Sequence, residues 1–389
     1  MTSTAMDHLR HLAESIGPRG STTAGEQQAA AYLRQRFESA GLETHWEPFT
    51  APVSGWRPFA LAALAGLGSV VLTLAGGRAG ALAAALLMAV VTMSVFLEMY
   101  FRPNPLRALV RRASSQNVWA RIPPSGQAKR TVVLVGHLDT HRTPWTFAAP
   151  WRLVLLRAVT GLGVAGFVLG TLLFALVGLL DQPELRSWAL LLAPVYLAVL
   201  ALTLQPDTTP YTHGANDNAS GASVVLSLAE RLARAPLANT EVLALGTGCE
   251  EVGSYGSQAF IARHLNALPG LLAISIDNVG GNGAGVCYTS VEGMVFPLRP
   301  SPELFALAEA LRCEHPEGHA YSRPYTVLHT DATAFMSRGV PSLSFVGLTA
   351  NGVIPDWHQV CDTVDRVDRN TVERTESFVL ELLQRIDAG

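Results

Sequence analysis

The sequence predicts an α/β fold with a mixed, mostly parallel sheet between helices, interrupted by two inserted transmembrane helical hairpins. Two observations predict it. Short apolar runs alternate with amphipathic stretches along most of the 389 residues, the pattern of a buried sheet with helices on its faces. Four much longer apolar runs, arranged in two pairs, break that alternation.

In order, residues 25–40 read as an amphipathic helix that stops at Gly41. Residues 42–49 follow as a strand. Residues 117–122 and 131–135 are two more strands, separated by the turn-like Pro123, Pro124, Ser125 and Gly126. The run 132–135 is apolar throughout, as in a strand buried on both faces. Residues 220–234 form a helix, 241–245 a strand, 254–265 a helix and 271–276 an apolar strand. Helices at 302–312 and 371–386 and a strand at 342–346 complete the domain.

The long apolar runs have a different logic. Residues 59–77 and 79–97 flank Arg78, and each run is about the ~20 residues that cross a bilayer. Residues 158–180 form a third run. A polar tip at 181–186 follows, then a shorter run at 187–204. Gly166 and Gly170 in the third run have the spacing that lets helices approach closely in lipid. The chain therefore divides into a discontinuous α/β domain, residues 1–56, 102–150 and 206–389, and two hairpins, residues 57–101 and 151–205. Each hairpin crosses and returns, so the non-membrane pieces share one side. That side carries Arg57, Arg102, Arg107, Arg111, Arg112, Arg152 and Arg157 near the membrane ends. The tips carry only Arg78 and Arg186, the latter near Asp181 and Glu184. Arginine asymmetry of this kind places the α/β domain in the cytoplasm.

Composition agrees. Mean hydropathy is +0.26, high for a soluble enzyme, and the excess lies in the two hairpins. A net charge of −3 gives no basic field for nucleic acid. The four cysteines, Cys249, Cys287, Cys313 and Cys361, form no CxxC pair, which argues against a thiolate zinc site and fits a reducing compartment. The first residues lack the apolar core of a cleaved signal peptide.

Five polar clusters fall at strand ends or in loops, where ligand sites of α/β sheets gather. They are Gly136–His137–Leu138–Asp139, Gly214–Ala215–Asn216–Asp217–Asn218, Glu250–Glu251, Asp277–Asn278 and Asp356–Trp357–His358. Imidazoles and carboxylates without an obligatory thiolate suit zinc, with cobalt or manganese as substitutes. His137 and Asp139 lie two apart, so an extended chain points both the same way. A natural division puts His137 on metal and Asp139 behind it, orienting the ring. Adjacent Glu250 and Glu251 diverge from a strand end, so one can bind metal while the other moves protons.

Several stretches together resemble the co-catalytic zinc aminopeptidases, the group that also holds glutamate carboxypeptidase and glutaminyl cyclase. They are IGPRGSTTAGEQQAAAYLRQRFESAGLE, VVLVGHLDT, GANDNASGASVVLSLAE, CEEVGSYGS, ISIDNVGG, HTDATAFMSRGVPSLSF and DWHQVCDTVD. They run in the family's order over most of the chain outside the hairpins. The resemblance implies a zinc-aminopeptidase-like fold and two zinc ions per chain, bridged by Asp217. It assigns His137 and Asp277 to the first ion, Glu251 and His358 to the second, Glu250 as general base and Asp139 as orienter of His137. It also implies a cis peptide between Asp217 and Asn218. The implied reaction is hydrolysis of a peptide bond beside a free N-terminus.

Departures remain. Gln359 and Val360 replace the Thr–Pro-like pair that usually follows the ligand His, and Cys249 and Cys361 lie close to motifs. Tyr211, His213, His329 and Asp331 are candidate substrate contacts. The second hairpin separates His137 from Asp217 along the chain, so the active-site mouth is expected to face the bilayer surface. The alternatives are a carboxypeptidase or other amide hydrolase on the same metal site, or a non-catalytic receptor-like membrane protein on a peptidase fold. Such a receptor would lose ligands, whereas all five are kept here. Glutaminyl cyclase fits less well, because its single-metal site would not need both His137 and Asp277.

Overall fold

The computed structural model describes residues 4–180, 182–268 and 270–389. Asp181, part of the expected polar tip, lies outside them. The chain forms two compact units: Met1–Ala51, Arg112–Arg142 and Tyr211–Gly389 in one, Pro52–Arg111 and Thr143–Pro210 in the other.

The first unit is built on an eight-stranded sheet in the order β1-β2-β4-β3-β5-β8-β6-β7. Its strands are β1 (Glu43–Pro52), β2 (Arg112–Ile122), β3 (Arg130–His137), β4 (Thr240–Thr247), β5 (Leu271–Asp277), β6 (Val286–Glu292), β7 (Ala320–Tyr325) and β8 (Ser342–Val346). The centre, β4-β3-β5-β8, is parallel, while β2 and β6 run antiparallel to their central neighbours. The apolar runs read from the sequence are the central strands: Val132, Val133, Leu134 and Val135 are fully buried. Helices cover both faces of such a sheet, which removes the need for alternation. Parallel register sets His137 beside Thr247, and Val135 beside Ser275. The carboxyl ends of β3, β4 and β5 therefore open at one edge of the sheet, and that edge carries the polar motifs.

Helix Gly221–Arg234 packs closely on this sheet because small residues permit it. A Cβ on Gly136 would lie 2.9 Å from the Ala222 backbone, and one on Gly221 would lie 2.0 Å from the Ile276 carbonyl. Helix Ala24–Ser39 ends before Gly41, which holds φ +76°. Strands β6 and β7, helix Asp331–Met336 and the N-terminal helix Ala5–Arg10 lie outside the elements read from the sequence. β7 contains Arg323 and Pro324 and lies at the sheet edge, where proline is tolerated but periodicity is weak. Helix Ala5–Arg10 is too short for a periodic signal, and a capping box between Thr4 and Asp7 starts it.

The second unit contains helices Arg57–Ala75, Gly77–Met99, Pro150–Leu180 and Ala193–Leu204, all strongly apolar. Among the described residues, four segments are long and apolar enough to cross a membrane, the last being Glu184–Thr208. That segment starts as a 3-10 helix, Pro183–Leu192, and turns α-helical at Ala193. Pro194 sits in the first α-turn, where its missing N–H costs no hydrogen bond. Gly166 and Gly170 do make a close helix approach: Tyr196 lies over both, and its hydroxyl donates to the Gly166 carbonyl at 2.8 Å. Within each segment's most apolar stretch, 44% or less is buried. Leu86, Leu162, Leu172 and Leu191 are among the large apolar side chains left exposed.

Candidate metal centre

His137 is the last residue of β3 and Asp277 the last of β5, so the sheet itself carries both. Asp217 stands in the turn Ala215–Ser220 that leads into helix Gly221–Arg234, and its peptide bond to Asn218 is cis. Buried hydrogen bonds hold this turn. Asp362 accepts from the Asn216 and Asp217 amides at 2.6 and 3.0 Å. The Asn218 side chain accepts from the Gly221 amide at 2.8 Å and donates to the Ile276 carbonyl at 2.9 Å. Asp217 is thereby tied to the end of β5. Fully buried Arg19 secures the same region by donating to the carbonyls of Leu138, His213 and Gly214.

The candidate ligands converge. His137 Nε2 lies 3.3 Å from Asp217 Oδ1 and 3.3 Å from Asp277 Oδ1. His358 Nε2 lies 3.1 Å from Asp217 Oδ2 and 3.4 Å from Glu251 Oε2. The two oxygens of Asp217 thus face two different imidazoles. All of these side chains are nearly buried, His137 at 2% and Asp277 at 7% side-chain exposure. Glu250 points elsewhere. Its Oε1 accepts from Ser254 Oγ at 3.1 Å and lies 3.8 Å from His329 Nδ1. The adjacent glutamates diverge, as neighbours at a strand end must.

The donor set fits a divalent cation pair on two counts. Three carboxylates, Asp217, Glu251 and Asp277, are crowded in a buried site, an arrangement that costs far more without cations than with them. Two buried atoms, His137 Nε2 and Glu251 Oε1, also make no hydrogen bond. The electrostatics agree. Burial and the nearby Asp217 push the Glu251 carboxyl well up, and Asp277 rises to about 6, chiefly through burial. For Asp217, burial is outweighed by the facing imidazoles of His137 and His358, which hold its carboxyl well down. His358 rises to about 9: burial opposes, but Glu251 and Asp217 win.

Asp139 makes more contacts than the one expected of it with the His137 imidazole. Its backbone carbonyl, not its carboxylate, is nearest to His137 Nδ1, at 3.1 against 3.6 Å. The carboxylate accepts from the amides of Glu250 and Glu251 at 3.0 and 3.1 Å and from Ser21 Oγ at 2.6 Å. It sets the turn that presents both glutamates. Buried Glu26 supports that turn from the other side, accepting from the Cys249 amide at 2.8 Å and from Thr22 and Ser115 at 2.9 Å each. Cys249, Asn278 and His358 all hold left-handed backbone, at φ 56°, 57° and 54°. Such residues cluster where surrounding structure over-determines a site.

The other singled-out residues fall around the centre rather than in it. His329 approaches Glu250, and buried Asp331 accepts from Thr247 Oγ1 at 2.6 Å. His213 Nδ1 faces the Ala13 carbonyl, and the Tyr211 ring stacks under Arg142. Cys249 is buried, and Cys361 Sγ lies 3.2 Å from Asp356; neither thiol joins a metal-ligand group among the described residues.

One residue was missed. His141 groups with Glu251 and His358, the ligand atoms all within 4.8 Å of one another, as in the group His137, Asp217 and Asp277. Burial, then the neighbouring His358, pushes its pKa well down, which keeps the ring neutral. A usable signal was present: His137, Asp139 and His141 recur at period two in extended chain.

The model of peptidase family M28 matches residues 204–383. His137, Asp139 and His141 precede that stretch. No curated protein sequence matches this chain. Among solved structures, a glutaminyl cyclase from Porphyromonas gingivalis is similar at 13% identity and a TM-score of 0.57, over 98% of this chain and 97% of that one. An aminopeptidase from Aneurinibacillus sp. strain AM-1 is 14% identical with a TM-score of 0.57, over 98% and 92%. A zinc aminopeptidase from Bacillus subtilis is 14% identical with a TM-score of 0.57, over 98% and 94%. At such identities the likeness is one of fold. The match to the M28 model over residues 204–383 is in keeping with the family that the motifs of this chain resemble.

Proposed function

We propose that this chain is a membrane-anchored, zinc-dependent exopeptidase, an aminopeptidase that removes N-terminal residues from peptides. The observation that carries this reading is Asp217, whose two oxygens lie 3.3 and 3.1 Å from the imidazoles of His137 and His358. A carboxylate shared in this way supports two ions held side by side, with His137 and Asp277 on one and Glu251 and His358 on the other. Bound zinc supplies Lewis acidity that polarises a carbonyl and activates a water. Glu250, turned away from the ligand cluster, is the proton carrier: it accepts the proton of the attacking water and passes it to the leaving amine. Asp139 and Glu26 fix the backbone on which Glu250 stands.

The exposed leucines of the four apolar segments support lipid as their solvent, since soluble surfaces rarely present so continuous an apolar face. The arginine asymmetry supports a cytoplasmic catalytic unit.

The test is a digest of a peptide library by the purified, detergent-solubilised full chain, read by mass spectrometry with and without chelator. Metal content is measured on the same sample. Two zinc equivalents and chelator-sensitive loss of N-terminal residues are expected. Trimming from the C-terminus would replace the aminopeptidase reading with a carboxypeptidase one. Cyclisation of N-terminal glutamine without hydrolysis would replace it with a cyclase. Absence of metal would end all three.

A further inference from the structure

We propose that His141 is a fourth protein donor to the Glu251–His358 metal site, which makes the two sites unequal. This rests on the two-metal reading above and deepens it.

The geometry is that of a prepared ligand. His141 Nδ1 lies 2.7 Å from the Arg142 carbonyl oxygen. A carbonyl can only accept, so Nδ1 carries the proton and Nε2 keeps its lone pair. This is the arrangement by which ligating imidazoles are oriented, and His137 shows the same pattern, with Nδ1 3.1 Å from the Asp139 carbonyl. The chain around His141 is held on both sides. Its carbonyl accepts from the Thr212 amide at 2.9 Å, and Arg142 bridges to Tyr211. The ring lies flat on His358, centroids 3.7 Å apart at 14°. A ring nitrogen of His141, a carboxylate oxygen of Glu251 and a ring nitrogen of His358 lie within 4.8 Å of one another.

Counting donors shows the consequence. Asp217 contributes one oxygen to each side. The first site then has three protein donors: His137, Asp277 and Asp217. The second has four: His141, Glu251, His358 and Asp217. Four protein donors close a tetrahedral zinc site, whereas three leave a position open. The second site is therefore the one that fills first and empties last, and the exchangeable position belongs to the His137–Asp277 side.

Two substitutions separate ligation from stacking. His141→Ala removes the ring; His141→Phe keeps a flat ring against His358 but removes the nitrogen. Full-length protein in detergent is stripped of metal and titrated with zinc against a competing chelator. Cobalt absorption reports donor number, and thermal unfolding confirms that each variant is folded. Wild type should show two affinity classes. Both variants should weaken the tighter class by at least about 10–100-fold, the loss typical even of an outer partner, and leave the weaker class unchanged. Cobalt bound to the tight site should show a changed spectrum. Wild-type affinity in His141→Phe would overturn the proposal and make His141 a stacking residue that positions His358. A wild-type protein that binds no divalent ion would instead overturn the two-metal reading itself.

Discussion

At the scale of single residues, the proposed function assigns metal holding and proton transfer to different side chains, although Glu250 and Glu251 are neighbours. Glu251 faces His358, while Glu250 faces Ser254 and His329. Glu250→Gln should lower kcat by about 10²–10⁴-fold and leave zinc content unchanged, as checked by turnover and metal analysis of one sample. Asp139 behaves differently, because both of its oxygens are acceptors for amides it must hold. Asp139→Asn turns an N–H₂ toward an N–H. It should weaken zinc binding about 10–100-fold in a chelator competition while the protein stays folded. Glu26 gives a pH signature. Burial, reinforced by Asp139, raises its pKa to about 8 from an ordinary 4.5. The folded protein thus keeps a proton that the unfolded chain releases across that window, so stability falls as pH rises from about 4.5 to about 8. Glu26→Gln cannot ionise and lacks this slope. Its melting temperature should gain on wild type by a few degrees between pH 5 and pH 9; parallel curves for the two proteins would refute the assignment.

At the scale of elements, the site depends on how closely helix Gly221–Arg234 approaches the sheet. That helix follows directly from the turn carrying Asp217, and β3 carries His137. Any shift between helix and strand moves the Asp217 carboxylate relative to the His137 imidazole. Gly136 is the contact, since an added Cβ would meet backbone atoms at 2.9 Å that cannot swing aside. Gly136→Ala should destabilise the protein by about 1–3 kcal/mol, measured by denaturant unfolding, and lower zinc affinity without touching any ligand.

At the scale of the whole molecule, one chain combines an α/β unit and an apolar helical unit, each interrupting the other in sequence. The apolar unit exposes leucine and valine along segments long enough to cross a bilayer. Full-length protein should stay with membranes through alkaline carbonate extraction. A cysteine placed by Glu184→Cys, in a background without Cys313, should react with an impermeant reagent from outside intact cells. Labelling only after lysis would reverse the orientation drawn from arginine asymmetry.

Much of this was legible in the sequence, for local reasons. Buried central strands read as continuous apolar runs, bilayer-length segments stand out by length, and the GANDN and CEEVG stretches keep their residues together. Elements whose signal is not local were hidden. β7 is a short edge strand containing proline, and β6 joins β8 through one antiparallel pair, Tyr288 with Phe345, so neither carries a readable period. The site divides along the same line. Which residue types stand at strand ends was determined by the sequence. Which oxygen faces which ring was decided by parallel register and by the buried hydrogen bonds of Asp362, Asn218 and Asp139. His141 is the clearest case. In the chain it is a histidine four residues beyond a candidate ligand, and only folding brings it onto His358, which lies more than two hundred residues further along. Donor identity is a property of the chain, but proximity between distant donors exists only once the sheet is assembled.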